Sequence, residues 1–178
     1  MNEKTLVKKC LNGDANAQRL LFDNYAPKMM ATVLRYVKQQ DQANDVVQDG
    51  FIKVFKHLNS FKNEGALEGW IKRIMINTAL DELRKDKKHG YTTQVEELEF
   101  TLTINEQADD QLLADNLMDL IYQLPEGYRT IFNLYAIEGF NHKEIGELLD
   151  ISESTSKSQY SRARKALQAV LKNVGIER

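Results

Sequence analysis

A pair of helix patterns hinged on four residues constrains this chain more than any other feature. Asn141-His142-Lys143-Glu144 sets an N-cap amide three residues ahead of a glutamate, the reciprocal pairing that closes the first turn of a helix. Ile145, Leu148 and Leu149 follow at helical spacing, and Leu149-Asp150-Ile151-Ser152 supplies the turn. Ser152 caps a second helix on which Tyr160, Ala163, Leu167, Val170 and Leu171 recur every third or fourth residue. At roughly 100° per residue, Ser154, Thr155, Ser158, Ser161, Arg162 and Lys165 fall on the opposite side. None of the six is acidic. Short side chains let a helix approach base edges in a major groove, while Arg and Lys hydrogen-bond guanine or phosphate. A helix-turn-helix facing DNA fits this pattern, and so does the polar corner of an ordinary helical bundle. The short turn, and the concentration of Lys157, Arg162, Arg164 and Lys165 among hydroxyl residues, favour DNA.

Composition narrows the classes. With 178 residues, 42% of them hydrophobic, the chain can form one domain or two small ones. Two prolines and nine glycines, among abundant Leu, Lys, Glu, Asp and Gln, point to helices. No apolar run approaches the roughly 18 residues of a membrane span, and Met1–Lys9 has no apolar core for a secretory signal. Cys10 is the single cysteine, which excludes an intrachain disulfide and is consistent with a reducing cytoplasm. His57, His89 and His142 are scattered, no glycine loop cradles phosphate, and no nucleophile is paired with a base. Neither an enzyme, a metal site nor a cofactor is expected.

Charge is unevenly distributed. The net charge is −2 and the pI about 6.0, low for a free-standing DNA binder. Between Trp70 and Lys88 the cations Lys72, Arg73, Arg84, Lys85, Lys87 and Lys88 outnumber Asp81, Glu82 and Asp86. From His89 to Met118 there is no Lys or Arg, while Glu96, Glu97, Glu99, Glu106, Asp109, Asp110 and Asp115 accumulate. Helical periodicity lapses in the same stretch, with Gly90 a C-cap, and resumes near Leu112, Leu113 and Leu117. Residues 89–111 are therefore expected to be an acidic inter-domain linker.

Upstream, four helices are expected. The first starts at the cap Asp14 and carries Ala17, Leu21 and Tyr25. The second has Pro27 in its first turn and carries Met30, Val33, Leu34 and Val37. A third follows Asp41 with Val47, Phe51, Val54, Phe55 and Leu58. The loop Asn59–Ala66 leads into a long fourth helix with Leu67, Ile71, Ile74, Met75 and Thr78 on one side. Trp70, Arg73, Asn77, Arg84 and Lys88 line another side of it. Such a basic stripe can grip phosphates and stack an indole on unpaired bases. A core tryptophan beside solvated cations is the plainer reading.

The order of these blocks resembles bacterial RNA polymerase sigma factors. Asp45-Val46-Val47-Gln48-Asp49-Gly50-Phe51 is similar to the family's D-(L/V)-(V/T)-Q-(D/E)-x-F signature. The run from Phe61 to Asn77 is similar to its F-(R/K)-x-(D/E)-x-x-(F/L)-x-x-W-(L/I)-x-(R/K)-I-x-x-N block. Leu124-Pro125-Glu126-Gly127-Tyr128-Arg129 and the helix-turn-helix complete the likeness, which covers about residues 12–171. The two-domain form is similar to the extracytoplasmic-function group.

That resemblance implies an all-α fold: two small helical domains joined by a linker, the C-terminal one a helix-turn-helix. Residues 1–88 would bind core polymerase and the promoter −10 element, and residues 112–178 would bind the −35 element. Asp45, Gln48 and Asp49, with Phe51 or Lys53, would dock on polymerase, although the spacing of Phe51 with Val47 and Val54 equally reads as core. Phe61, Lys62, Asn63, Trp70, Arg73 and Asn77, with Arg84 and Lys88, would engage the −10 element, capturing a flipped base. Lys157, Ser158, Ser161 and Arg162 would contact the −35 element beside Ser154, Thr155 and Lys165. The sequence departs from the family at Gln159, often Arg, and at Glu153 or Ser156, where an apolar residue is usual. Family habit also implies an inhibitory anti-sigma protein. Polymerase would supply the affinity that an acidic chain lacks, and linking two modest contacts makes them specific. The rival reading is a dimeric helix-turn-helix regulator that never joins polymerase, which leaves the Phe61–Asn77 block without a role.

Overall fold

The computed structural model describes residues 2–62, 65–88, 102 and 113–173, and every regular element among them is helical. The chain divides into two compact units, Met1–Thr92 and Thr93–Arg178. The segment expected to link them lies outside the described residues except for Leu102.

The first unit begins with α1 (Glu3–Leu11), which the sequence pattern did not announce. Asn2 caps it, its side chain accepting the Thr5 N–H at 2.8 Å, and Leu6, Val7 and Cys10 are buried. Three lysines in its nine residues, Lys4, Lys8 and Lys9, break up that apolar stripe along the sequence. Asp14 caps α2 (Ala15–Leu34) as expected, accepting from the Asn16 and Ala17 N–H groups. Pro27 does not open a second helix: α2 runs straight through it. Proline in a helix interior removes one hydrogen bond and crowds the carbonyl four residues back, costing about 3 kcal/mol. Leu21, Met29 and Val33 on either side are fully buried, each contributing about 1.5–3 kcal/mol. Burial on both sides of the proline outweighs its local cost.

α3 (Gln40–His57) packs on α2 and ends in a 3-10 turn, Leu58–Ser60. α4 (Leu67–Lys88) packs on both α2 and α3. Its buried face is accordingly wider than the expected stripe: Ile76, Ala79 and Leu80 join Leu67, Ile71, Met75 and Thr78, while Ile74 is half-buried. Gly50 lets α3 and α4 approach closely, because the Met75 side chain occupies the space a Cβ would need.

In the second unit, α5 (Leu113–Gln123), α6 (Glu126–Phe132), α7 (His142–Leu149) and α8 (Glu153–Asn173) follow in order, with a π-helical turn, Asn133–Ile137, after α6. Leu120, Ile121, Leu124, Tyr128, Ala163 and Leu167 form the core, and Leu102 is buried with them at 7% exposure. Arg129 is also buried. Its guanidinium donates to the carbonyls of Tyr122 and Leu124 at 3.3 and 3.2 Å, satisfying acceptors freed at the end of α5. Burial lowers its pKa, with Glu126 opposing.

Candidate nucleic-acid interface

The helix-turn-helix is built by local capping. The Glu144 N–H donates to Asn141 Oδ1 and the Asn141 N–H to Glu144 Oε2, both at 2.9 Å, so the expected capping box is present. α7 stops at Asp150, which takes a left-handed conformation with φ 55°. The Ile151 N–H then donates back to the Gly146 carbonyl at 3.0 Å. This return brings the chain so close that a Cβ on Gly146 would lie 2.8 Å from the Ile151 carbonyl oxygen. Only glycine fits there. The sequence reading passed over Gly146, whose signal was a glycine inside a helix, where it costs about 1 kcal/mol relative to alanine. Ser152 caps α8 as expected, accepting the Thr155 N–H at 3.0 Å.

α8 has two sharply different faces. Ser154, Lys157, Ser158, Ser161, Arg162, Arg164 and Lys165 are exposed, and Thr155 is half-buried with its hydroxyl on Ser152. Ala163 and Leu167 face the core together with Ser156 and Gln159. The two departures from the family pattern at 156 and 159 therefore point inward. Gln159 lies over Gly127 of α6, and Ser156, fully buried, is 3.0 Å from His142 Nδ1. The imidazole of His142 also stacks on Tyr135 at 4.2 Å and 10°, with Tyr160 closing the cluster. Burial first, then the charge of Lys157, lowers the His142 pKa. Lys157 also pairs with exposed Glu153, and that bond lowers the Glu153 pKa.

The second polar face lies on α4. Arg73, Asn77 and Arg84 are exposed along it and Trp70 is half-buried. Arg84 donates to Asp81 Oδ1 at 2.7 Å. Phe61 is buried, its ring centroid 5.6 Å from that of Trp70, so it braces the indole from beneath rather than facing solvent. Lys62 is exposed, whereas Asn63 and the side chain of Lys88 lie outside the described residues.

On α3, Asp45, Gln48 and Asp49 are exposed on one face. Two neighbours expected to join them do not. Phe51 is only 2% exposed and packs against Phe22 and Phe55, because its position in the turn points it into the core. Lys53 is directed to α4, where its ammonium donates to Thr78 Oγ1 at 3.1 Å and pairs with Asp81 at 3.5 Å. Ile52, which the sequence reading omitted, is 64% exposed beside Gln48 and Asp49. Its signal was an isoleucine on the polar side of the helix. No group of His, Cys, Asp or Glu among the described residues is placed to hold a metal ion. No helix among them is long and apolar enough to cross a membrane.

The family model for sigma-70 region 2 matches residues 21–89, and that for sigma-70 region 4 matches residues 114–167. An RNA polymerase sigma-H factor of Pseudomonas aeruginosa is 30% identical over 180 residues, covering 95% of this chain and 93% of that protein. The chain belongs to the sigma-70 family. Within it, the likeness is to the extracytoplasmic-function group: a sigma-E factor of that group from Haemophilus influenzae is 29% identical over 179 residues, covering 94% of each chain. The sigma-E factor of Escherichia coli K12 is 29% identical over 178 residues, covering 94% of this chain and 93% of its own. Among solved structures, the sigma factor RpoE of Bartonella quintana, in complex with the anti-sigma factor NepR, shares the fold with a TM-score of 0.55 at 24% identity. That likeness covers 90% of this chain and 98% of that one. CnrH, in complex with the cytosolic domain of CnrY, shares it with a TM-score of 0.53 at 20% identity, covering 96% and 97%. The chain is an alternative sigma factor, a regulator of transcription.

Proposed function

We propose that this sigma factor divides its work between three exposed faces. Asp45, Gln48, Asp49 and Ile52 of α3 dock on core RNA polymerase. The loop 61–66 with Trp70, Arg73 and Asn77 of α4 holds the opened −10 strand. Ser158, Ser161 and Arg162 of α8 read the −35 element, with Lys157, Arg164 and Lys165 on its phosphates. Residues 1–88 and 112–178 act as the two modules, and the acidic segment 89–111 runs along basic polymerase channels that otherwise carry nucleic acid. The protein works in the cytoplasm beside its polymerase, and an anti-sigma protein, as NepR is to RpoE, restrains it.

The observation that carries this reading is the segregation along α8. Cations and hydroxyls stand outward over three turns while Ser156, Gln159, Ala163 and Leu167 are buried on the other side, on a helix packed against α7. Hydroxyls and long cations on a close-approaching helix suit base edges and phosphates. Run-off transcription with purified core polymerase and this chain, over a library of promoters, tests it. Discrete transcripts from templates sharing two spaced elements are expected. A chain that neither binds core polymerase nor directs a defined start, and instead dimerises on a palindrome, contradicts it.

A further inference from the structure

α1, a helix outside the stretch 21–89 matched by the region 2 model, contacts both the turn that leads to Phe61 and the first residue of α4. At the loop's entry, α1 packs on the turn Leu58–Ser60. At its exit, the Leu67 N–H that opens α4 donates to Glu3 Oε1 at 3.3 Å, across 64 residues of sequence. The first N–H groups of a helix need acceptors, and a Ser, Thr, Asp or Asn just ahead of the helix normally supplies one. Here that residue is Ala66, which has no side-chain oxygen. Glu3 provides the missing cap from another helix, and its charge suits the positive end of α4.

Glu3 is itself fixed in place. Its second carboxylate oxygen accepts the Tyr25 hydroxyl at 3.3 Å, tying α2 into the same clasp. Burial, then the charge and bond of Glu3, raise the Tyr25 pKa, so the phenol stays a donor. One residue further along, Lys28 of α2 pairs with Glu68 at 2.6 Å. Trp70 stands one turn beyond this anchored head, against Phe61 at the start of the loop. A shift of the first turn of α4 moves the indole and disturbs its contact with Phe61.

We propose that Glu3 is a positioning residue for promoter opening: by capping α4 from α1, it holds Trp70, against Phe61, in the pose that receives the −10 strand. The inference rests on the reading that Trp70 and the loop engage that strand. The test uses holoenzyme assembled from the full chain and core polymerase, on a duplex promoter with 2-aminopurine in the −10 element, following the rate of fluorescence gain. Glu3→Ala is expected to slow opening about fivefold, the size of losing an N-cap acceptor, with core binding unchanged. Glu3→Gln, whose amide oxygen can accept the same N–H, is expected to open within about twofold of the parent. Leu6→Ala loosens α1 without touching the clasp and serves as the stability control. Below its melting temperature it should open normally. Equal slowing by Leu6→Ala and Glu3→Ala reduces the effect to general loosening and overturns the proposal. Normal opening by Glu3→Ala overturns it too, while slow opening by Trp70→Ala leaves the underlying reading intact. Normal opening by Trp70→Ala sinks that reading as well.

Discussion

Gly146→Ala should destabilise the second unit although alanine is the better helix former. In an open helix interior the exchange would stabilise by about 1 kcal/mol. At Gly146 the new methyl would stand 2.8 Å from the Ile151 carbonyl oxygen, and the obstacle is backbone. Moving it stretches the bond from the Ile151 N–H to the Gly146 carbonyl and shifts the start of α8. Overpacking of this kind costs about 1–3 kcal/mol, and against a rigid neighbour the upper half of that range applies. The net loss is then about 1–2 kcal/mol, or a fall of about 4–16 °C in melting temperature for a unit of this size. Gly69 provides the internal control: it is helical, exposed, and has no atom within 4 Å of an added Cβ, so Gly69→Ala should be neutral or slightly stabilising. The single tryptophan, Trp70, lies in the first unit. Its fluorescence melt should therefore stay unchanged in Gly146→Ala while the helical circular dichroism loses part of its transition earlier. If Gly146→Ala melted at or above the parent temperature, the tight turn would not be what demands glycine there.

Three further outcomes follow from the side-chain placements. Phe51→Ala should cost about 3–5 kcal/mol in the first unit, the range for a buried aromatic, with polymerase binding lost only as folding fails; a stable variant that cannot bind polymerase would restore Phe51 to the docking face. Arg162→Ala should weaken binding at the −35 element by about 1–3 kcal/mol; in footprints, a loss shared equally by the −10 element would contradict its place on the reading helix. The His142 pKa is lowered, so the unfolded chain takes up a proton before the folded one does. That contribution to stability is whole above about pH 6.5 and is lost as pH falls through the lowered folded value. Urea melts across that window should show the loss in the parent and a flatter profile in His142→Phe.

Short-range signals were legible in the sequence wherever the partner groups lie a few residues apart. The Asn141–Glu144 box, the Asp14 and Ser152 caps, and the outward and inward sides of α8 all appear where spacing put them. Spacing was less reliable where a second helix decides the outcome. Pro27 looked like a helix start because its local effects favour one, yet burial on both sides of it carries α2 through. Lys53 looked available to a partner because its position on α3 is near the exposed face, but Asp81 and Thr78 of α4 engage its ammonium across the two helices. α1 escaped notice because its apolar residues, Leu6, Val7 and Cys10, are few and stand among lysines.

The helices, their caps, the family's signature blocks and the polar faces turned to solvent were all readable along the chain, because each depends on residues within one or two turns. Tertiary structure alone decided which of those polar residues are free to meet a partner and which are spent inside. Phe51 fills a core, Gln159 covers Gly127, and Glu3 caps a helix 64 residues away. Such contacts join groups that are distant along the chain, and no periodicity records a partner that only folding brings near.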